Sequence, residues 1–595
     1  MKITICPISI SKDLGVKESN KIVNTNFVID FEENATVNHY YEGIVDDKIC
    51  LLFGSIYDKQ EDFIKYVRQR YKQFGSKGLF DIDGSFVYIE IDMNKGNMVV
   101  VSEREGLIPL YYRVYGNQIA LTTECDRLFY DYAEGDIDYS AMYDYLRYGL
   151  LIGNNTMSTK VKLLQGGSEL LIDANGMLEC KKVRCFHHDS LSEVDDTRSI
   201  AKEMKSIYEN AIKKRIDRKM DEMAVFLSGG MDSRFVLSAM NNISSDSGPV
   251  CYAFGQPLSE EVDIAEKVAS VRDNKFNVIT LLPEDHIVDA KDYVRMTCGT
   301  DMLAQSYIIA AAKKIKNKGQ TAFFTGTILE AHIGGSFLPE DALDYKGKFS
   351  EYIVSKMGNV KCELFKEDEL KEICNSNVYS KVFANNKGNL EFEAKKYDDW
   401  LVKDIIQSFI IDQRDKRLVL NREIVPGKYL DYINPNFDKD FLELVAKIPA
   451  KERFQRKFYR EVFVANYPEY GNIVYNNTGL PISAPMTYWI QGAKLEMQKE
   501  VMFAEIQKEM NKNKHEFYYP HYYSDFDGYS RYNRKWREFF GEILFSEKSY
   551  LVGKILREDS VRKMYHDHIA GKANYRKKLL YIASLELFYQ TMIRR

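Results

Sequence analysis

The chain has 595 residues, of which 45% are hydrophobic and 28% are charged. These proportions are ordinary for a globular protein, so they exclude disorder throughout, and the length predicts two or three domains. Lys and Arg total 82 and Asp and Glu total 87, and the resulting formal net charge of -5 argues against broad nucleic-acid binding.

No apolar stretch approaches the roughly 18–20 residues that a membrane-spanning helix needs, and the N-terminus has no signal-peptide pattern. We therefore expect a cytoplasmic protein that does not contact a membrane. The nine cysteines are scattered along the chain without a CxxC pair. This distribution predicts reduced thiols rather than a disulfide framework or a zinc site.

Residues 1–180 are predicted to be rich in β-strands. Short apolar or alternating runs are separated by polar or glycine-containing turns, which is the pattern of antiparallel strands. Strands are expected at 49–53, 86–91 and 98–102, and helices that pack on them at 60–74 and 139–148.

After residue 199 the pattern changes to strands that alternate with helices. Such alternation predicts a parallel sheet with both faces covered. Strands are expected at 224–227, 250–254, 277–282 and 321–324, and helices at 199–220, 233–242, 303–317 and directly after the second strand. From about residue 400 onwards the pattern is almost wholly helical.

The most informative segment is AVFLSGGMDSR at residues 224–234. A strand, a glycine-rich turn and a helix start bring free backbone N–H groups and the positive helix end to one point, which favours phosphate binding. Gly229 and Gly230 allow close approach of the backbone, and Ser228 and Ser233 can add hydroxyl donors. Asp232 would repel a bare phosphate, so it indicates a bridging Mg²⁺. The spacing fits neither a Walker A loop nor a GxGxxG loop.

The SGGMDS turn resembles the SGGxDS pyrophosphate loop of the asparagine synthetase family, whose members form acyl-adenylates. Further similar stretches follow in family order over residues 40–480. They are FGSIYD (53–58), GSFVYIEID (84–92), GLIPLYY (106–112), YLRYGLLIGNNT (145–156), LLQGGSELLID (163–173), FFTGTILEAHIGG (323–335) and NFDKDFLELVAKIP (436–449).

This resemblance implies an α/β chain. It predicts an N-terminal Ntn-hydrolase-like αββα domain, then a doubly wound parallel-sheet PP-loop domain, then a mostly helical C-terminal extension. The corresponding boundaries are 1–185 for the glutaminase-like domain, 186–200 for a linker, 201–490 for the ATP pyrophosphatase domain and 491–595 for the extension.

The resemblance also implies a nucleotide site for ATP and Mg²⁺. Asp232 and Glu330 are expected to bind the metal and to act in catalysis. The residues expected at the nucleotide are Leu227, Ser228, Gly229, Gly230, Met231, Asp232, Ser233, Phe254, Gly255, Thr325 and Gly326.

The N-terminal domain departs from the family pattern. Position 2, where the family has its nucleophilic cysteine, is Lys2, and the nearest cysteine is the internal Cys6. Phe53 stands before Gly54 where the family has an Asn-Gly pair that stabilises the oxyanion. We therefore expect no glutamine hydrolysis, with Cys6 unmasked by processing as the remaining alternative.

The synthetase part departs as well. The family has a glutamate where this chain has Thr327, and a pyrophosphate-binding lysine where this chain has Thr478. Lys457 and Arg460 are the candidate replacement cations, and the alternative for both is a solvated helix face. Losing the lysine should slow adenylation unless another cation replaces it.

Other residues keep two interpretations. Glu261 and Asp263 either lie near the nucleotide or, for Asp263, form a surface pair with Lys267. His332 is either a structural histidine or a substrate contact. The aromatic segment 517–532 either packs in the core or binds a substrate.

The expected reaction is ATP-dependent amide formation between a carboxylate and ammonia or an amine. The carboxylate could belong to a small molecule, a sugar acid or a peptide, and Arg234 in SGGMDSR favours similarity to proteins of surface-polysaccharide clusters. A lasso-peptide-type macrolactam cyclase and a catalytically impaired scaffold are the alternatives. A homodimer or partner proteins from a biosynthetic cluster are both compatible with the sequence.

Overall fold

The computed structural model describes most of the chain. The described residues are 2–7, 11–16, 21–22, 27–32, 39–116, 118–173, 178–182, 188, 197–244, 247–256, 259–357, 362–384, 388–512, 518 and 523–593. Most of the predicted linker and residues 517 and 519–522 of the aromatic segment lie outside them.

The N-terminal region is a sandwich of two antiparallel six-stranded sheets. The first contains, in spatial order, Val161–Leu164, Leu110–Tyr115, Gln118–Thr122, Lys2–Pro7, Phe27–Glu32 and Lys21–Ile22; the second contains Leu178–Lys182, Ser168–Ile172, Met98–Ser102, Gly84–Asp92, Lys48–Ile56 and His39–Val45. Alternating apolar residues such as Ile5 and Leu51 meet between the sheets and form one buried core.

Helices cover both outer faces of this sandwich, which confirms the predicted αββα layers. Phe63–Phe74 and Ser76–Phe80 pack on the second sheet. The first sheet is covered by Tyr139–Tyr148 and by helices from the other end of the chain, since Trp536 and Phe588 share its buried cluster. Those C-terminal helices are Phe526–Tyr532, Arg534–Phe545, Leu551–Lys554, Glu558–Ile569 and Arg576–Met592.

The second half is built on a five-stranded parallel sheet in the order Phe276–Thr280, Val250–Gly255, Met223–Phe226, Ala322–Phe324, Asp431–Ile433. Ala224 faces one buried cluster while Val225 faces another, so both faces of the sheet are covered. This confirms the doubly wound arrangement. The region after residue 400 is almost wholly helical, as predicted, and the three-residue strand Asp431–Ile433 interrupts it because three residues are too few to show a periodicity.

Helices surround this sheet and fill the rest of the chain. They are Thr197–Lys213, Met231–Ile243, Glu260–Ser270, Ala290–Met296, Tyr307–Asn317, Leu329–Ile333, Phe349–Lys356, Glu367–Ile373, Ser376–Val378, Leu390–Ala394, Val402–Ile410, Asn421–Ile424, Lys439–Val445, Ala450–Arg453, Lys457–Asn466, Pro468–Gly471 and Met486–Lys512. A short hairpin, Val474–Tyr475 with Leu480–Pro481, follows Pro468–Gly471. None of the described helices combines the length and apolar character needed to cross a lipid bilayer.

Buried charges join the two halves. The Arg215 guanidinium, only 2% exposed, donates to Asp83 of the sandwich at 2.9 Å and to Asp438 at 2.6 Å. It also lies over the ring of Tyr57, 4.1 Å from the ring centroid. Losing one member of such a buried pair typically destabilises a protein by about 3–5 kcal/mol.

A disulfide also joins the two halves, between Cys125 and Cys298. This corrects the expectation of reduced thiols for that pair. The two cysteines are 173 residues apart and meet inside the shared core, so no spacing in the sequence indicates their contact. The other described cysteines outside this disulfide are Cys6, Cys50, Cys180, Cys251, Cys362 and Cys374.

Candidate active site

The loop between Met223–Phe226 and Met231–Ile243 is held by its own serines. Ser228 Oγ accepts a hydrogen bond from the Gly230 N–H at 3.2 Å, and Ser233 Oγ accepts one from the Ser228 N–H at 3.1 Å. The turn therefore has a fixed shape at the carboxyl end of a central strand, where open α/β sheets bind ligands.

Arg234 fixes the same loop from behind. Its fully buried guanidinium donates to the Gly229 carbonyl at 3.1 Å and to the carbonyls of Ile473 and Val474 at 2.9 and 2.8 Å. Burial lowers the pKa of Arg234 to about 10, so the group stays charged at neutral pH. Arg234 thus joins the loop to the hairpin that carries Thr478.

A second turn, residues 325–327, packs directly on this loop. A Cβ at Gly326 would lie 2.3 Å from the Asp232 carbonyl carbon and the Ser233 nitrogen, so only glycine allows this approach. Gly326, which the resemblance places at the nucleotide, lines the cavity at the loop and also touches the loop backbone. Ile328 follows with φ 73°, an unusual conformation for a β-branched residue.

This turn brings Glu330 to Asp232. Asp232 Oδ2 accepts from the Glu330 N–H at 3.2 Å, and its Oδ1 accepts from the Tyr459 hydroxyl at 2.8 Å. Burial, and then the negative charge of Glu330, raise the pKa of Asp232 to about 7. Two nearby carboxylates that resist joint ionisation favour a cation between them.

The cation beside these carboxylates is Arg456, which the sequence analysis missed. Its Nε and Nη2 donate to Glu330 Oε1 at 2.7 and 2.6 Å, and its charge also lowers the pKa of Asp232. Gln455 and Arg456 both have positive φ angles, 53° and 63°. Backbone in such sparsely populated conformations is concentrated at functional sites.

The predicted replacement cations, Lys457 and Arg460, have other partners in the structure. The Lys457 ammonium pairs with Glu452 at 2.6 Å on a half-exposed surface. The Arg460 guanidinium donates to the Ile482 and Ala484 carbonyls and lies over the Trp489 ring. These contacts of both side chains are therefore with groups other than Asp232 and Glu330.

The segment that would carry the family's lysine lies against the loop. Thr478 is buried in the hairpin turn, where its N–H donates to the Tyr475 carbonyl at 3.1 Å. Asn476 faces Gly229, because a Cβ at Gly229 would lie 3.1 Å from the Asn476 Cβ. The Asn476 Oδ1 is buried and has no hydrogen-bond partner within the part of the chain that the structure describes.

A cavity of about 340 Å³ opens at the loop. Predicted nucleotide residues that line it are Leu227, Ser228, Asp232, Ser233, Phe254, Thr325 and Gly326. Gly229, Gly230, Met231, Gly255 and Glu330 are not among the lining residues. Met231 instead packs in the core below the sheet.

The far wall of the cavity carries residues that the sequence analysis left open or missed. Glu261 lines it, accepts from the Tyr523 N–H at 3.1 Å, and burial raises its pKa to about 7. Asp263 is exposed. Glu423 and Arg422, which no motif indicated, line the cavity from the short helix Asn421–Ile424.

His332 and the aromatic segment are mainly structural. His332 is fully buried with its ring against Phe437, and burial lowers its pKa to about 3. Tyr518 and Phe526 pack around Tyr529 in the core, whereas Tyr523 reaches the cavity.

The glutaminase positions of the sandwich are filled by core atoms. Cys6 is fully buried, and burial followed by the charge of Asp30 raises the pKa of its thiol to about 12. Phe53 is fully buried as well. A Cβ at Gly54 would lie 2.0 Å from the Ser85 carbonyl oxygen.

The donor set fits a hard divalent cation only in part. Among the described residues no group of three or more His, Cys, Asp or Glu side chains is placed to hold a metal. Asp232 and Glu330 supply two carboxylates, and Mg²⁺ is commonly bound by one or two carboxylates together with substrate phosphates. The pair therefore suits a magnesium ion that arrives with a nucleotide.

Comparisons with known proteins agree with this arrangement. Residues 65–183 match the family described as a glutamine amidotransferase domain, and residues 203–335 match the family described as asparagine synthase. Asparagine synthetase [glutamine-hydrolyzing] 1 of Bacillus subtilis is 24% identical over 204 residues. That match covers 34% of this chain and 31% of the relative, so it spans about a third of each.

Two solved structures are also similar in part. One is titled as the allosteric regulatory enzyme of purine biosynthesis, at 9% identity over 47% of this chain and 74% of that one. The other is glutamine phosphoribosylpyrophosphate amidotransferase from B. subtilis, at 8% identity over 55% and 75%. Both have a TM-score of 0.21, and we base no argument on them. The two matched domains, in this order, and the Bacillus relative make the chain similar to the asparagine synthetase family over residues 65–335.

Proposed function

We propose that the chain is an ATP-dependent amide ligase that forms AMP and pyrophosphate. In this proposal a substrate carboxylate attacks the α-phosphorus of ATP, and the acyl-adenylate then reacts with ammonia or an amine. The observation that carries it is the hydrogen bond from the Glu330 N–H to Asp232. This contact lies beside the loop 228–233, which opens on the cavity of about 340 Å³.

Each group has a role that follows from its position. The N–H groups of Ser228 and Gly230 donate within the loop, so the N–H groups at the start of Met231–Ile243 would bind the departing pyrophosphate, because a helix N-terminus favours anions. Arg456 would supply the positive charge that Thr478 cannot. Asp232 and Glu330 would hold Mg²⁺, which supplies charge neutralisation at the phosphates when it is bound.

We further propose that the N-terminal sandwich does not hydrolyse glutamine, so that nitrogen comes from free ammonia or an amine substrate. The support is the burial of Cys6 and Phe53 in the core, which leaves no exposed nucleophile at these positions. The identities of the carboxylate and of the amine are part of what the assay must determine.

Exchange of labelled pyrophosphate into ATP tests the proposal, because it reports adenylation without the amine. L-Aspartate, L-glutamate and D-glucuronate serve as candidate carboxylates. We expect exchange with at least one of them, reduced about 1,000-fold by Asp232→Asn. The matched control is Asp344→Asn, at an exposed position. Nucleotide binding without exchange would instead support a scaffold role.

A further inference from the structure

Glu423 forms a buried hydrogen bond with the second turn of the site. The Thr327 hydroxyl donates to Glu423 Oε1 at 2.5 Å, although the two residues are 96 positions apart. Thr327 is itself fixed, because its carbonyl accepts from Asn436 Nδ2 at 2.9 Å. Glu423 is 7% exposed, so this carboxylate is held inside the protein in one orientation.

The carboxylate lies at the boundary of two cavities. One is the nucleotide cavity, which Asp232, Ser233 and Thr325 also line. The other is a cavity of about 120 Å³ between the two halves, lined by Tyr57 and Ile108 of the sandwich and by Phe437. A group at this boundary can contact a molecule that reaches the nucleotide cavity from either side.

The surroundings allow this carboxylate to change its protonation near neutral pH. Burial raises the pKa of Glu423 to about 7, and hydrogen bonds from Thr327 and Thr325 and the charge of Arg422 offset part of that effect. Tyr307 and Tyr432 are the other titratable groups near Glu423, whose negative charge contributes to raising the pKa of both. Arg422 is itself paired with Asp301 at 3.1 Å, so it does not neutralise Glu423 fully.

We propose that Glu423 is the proton acceptor for the amine in the second half-reaction, an inference that rests on the proposed ligase function. The amine nitrogen forms the new bond to the acyl carbon, and the bond from that carbon to the phosphate oxygen breaks. AMP leaves with the electron pair, and the proton from nitrogen passes to a Glu423 carboxylate oxygen. Asp232 and Arg456 serve the first half-reaction, so the two steps depend on different side chains.

Glu423→Gln separates these steps, because it keeps the shape and the acceptor for Thr327 but removes the basic oxygen. Pyrophosphate exchange should stay within about twofold, while amide formation from ammonium chloride should fall at least about 100-fold, the usual size of a lost general base. Hydroxylamine is neutral at pH 7 and needs less base assistance, so hydroxamate formation should be retained. Glu443→Gln, at an exposed position, is the matched control.

Each outcome has a defined meaning. Unchanged ammonia transfer in Glu423→Gln would overturn the assignment while leaving the ligase proposal intact. An equal fall of exchange, ammonia transfer and hydroxamate formation would also overturn it, because it would indicate a structural role. No exchange in the unaltered protein with any of the three carboxylates would refute the proposed function and this inference together.

Thr327→Val gives a second, independent readout. Loss of the hydroxyl removes a hydrogen bond that lowers the pKa of Glu423, so the rise of ammonia transfer with pH should move to higher pH. A pH profile that does not move would contradict the role of Glu423, whereas a purely structural loss would lower the rate at every pH alike.

Discussion

The candidate catalytic positions of the N-terminal sandwich and of the parallel sheet have opposite environments. In the sandwich, Cys6 and Phe53 are buried core residues, and a Cβ at Gly54 would lie 2.0 Å from the Ser85 carbonyl oxygen. At the parallel sheet, Asp232 and Glu423 line an open cavity and have raised pKa values. Apolar packing favours stability, whereas retained ionisable groups with perturbed pKa values are typical of functional sites.

The difference supports placing the proposed ligase chemistry at the parallel sheet. Burying a carboxylate is unfavourable unless a hydrogen bond or a cation compensates for its lost hydration. Three carboxylates line the cavity, Asp232, Glu261 and Glu423, and such an arrangement does not favour stability. The sandwich contributes instead one wall of the cavity between the halves and a partner for Arg215. Four substitutions test this division.

Arg215→Ala should have the largest effect, because it acts on the junction of the two regions. It removes two charge-assisted hydrogen bonds and leaves Lys214, 2.6 Å from each carboxylate, to pair with the buried Asp83 and Asp438. We therefore expect the free energy of unfolding to fall by about 3 kcal/mol. Urea denaturation followed by circular dichroism measures this loss. Arg562 pairs with Glu558 on an exposed helix, and Arg562→Lys is the control at this surface ion pair.

Arg456→Ala should reduce pyrophosphate exchange about 100-fold, since it removes the positive charge beside Glu330. Thr478→Lys in the same background should restore part of the rate, because it adds a cation on the adjoining hairpin. Lys457→Ala should leave exchange within about twofold. Equal losses for Arg456→Ala and Lys457→Ala would contradict the assignment of the cation.

Gly326→Ala should disturb the contact between the second turn and the loop. The added Cβ would meet the Asp232 and Ser233 backbone at 2.3 Å, and such overpacking typically costs about 1–3 kcal/mol. We expect weaker ATP binding by calorimetry together with a lower thermal midpoint. Gly541→Ala, where a Cβ has open space, is the matched control.

Cys6→Ala should have the smallest effect on activity. Because the pKa of this buried thiol is raised to about 12, it is protonated at neutral pH and should resist iodoacetamide in the folded protein. We expect no difference in ammonia-dependent amide formation and no use of glutamine by either form. Glutamine-dependent activity that is lost in Cys6→Ala would show that the sandwich is catalytic after all.

Local patterns predicted much of this fold. Helix Tyr139–Tyr148 and strand Met98–Ser102 have the predicted bounds, and Val262, Ala265, Val268 and Ala269 are all buried on one face as their spacing indicates. The predicted strand at 224–227 and the loop after it are also present, within one residue. These features depend on periodicity and turn chemistry, which the sequence carries locally.

The missed features depend on contacts between distant residues. Glu423 meets Thr327 and Arg456 meets Glu330 only because the sheet brings separate segments to one edge. The Arg456 side chain is also aimed by left-handed backbone at Gln455 and Arg456, and neither residue type indicates such a conformation. The sequence predicts Lys457 and Arg460 as the candidate cations and does not indicate Arg456, because sequence position alone cannot say which of several neighbouring cations turns inward.

The contacts of Arg234 have a thermodynamic consequence for ligand binding. One guanidinium holds carbonyl groups of the loop and of the hairpin, so the conformational entropy of both segments is lost when the protein folds. A nucleotide would then bind to a preorganised surface, so its binding free energy would not include the entropy lost in ordering these two segments. Loosening the guanidinium contacts by Arg234→Lys would transfer the cost to the binding step, visible as a more unfavourable binding entropy.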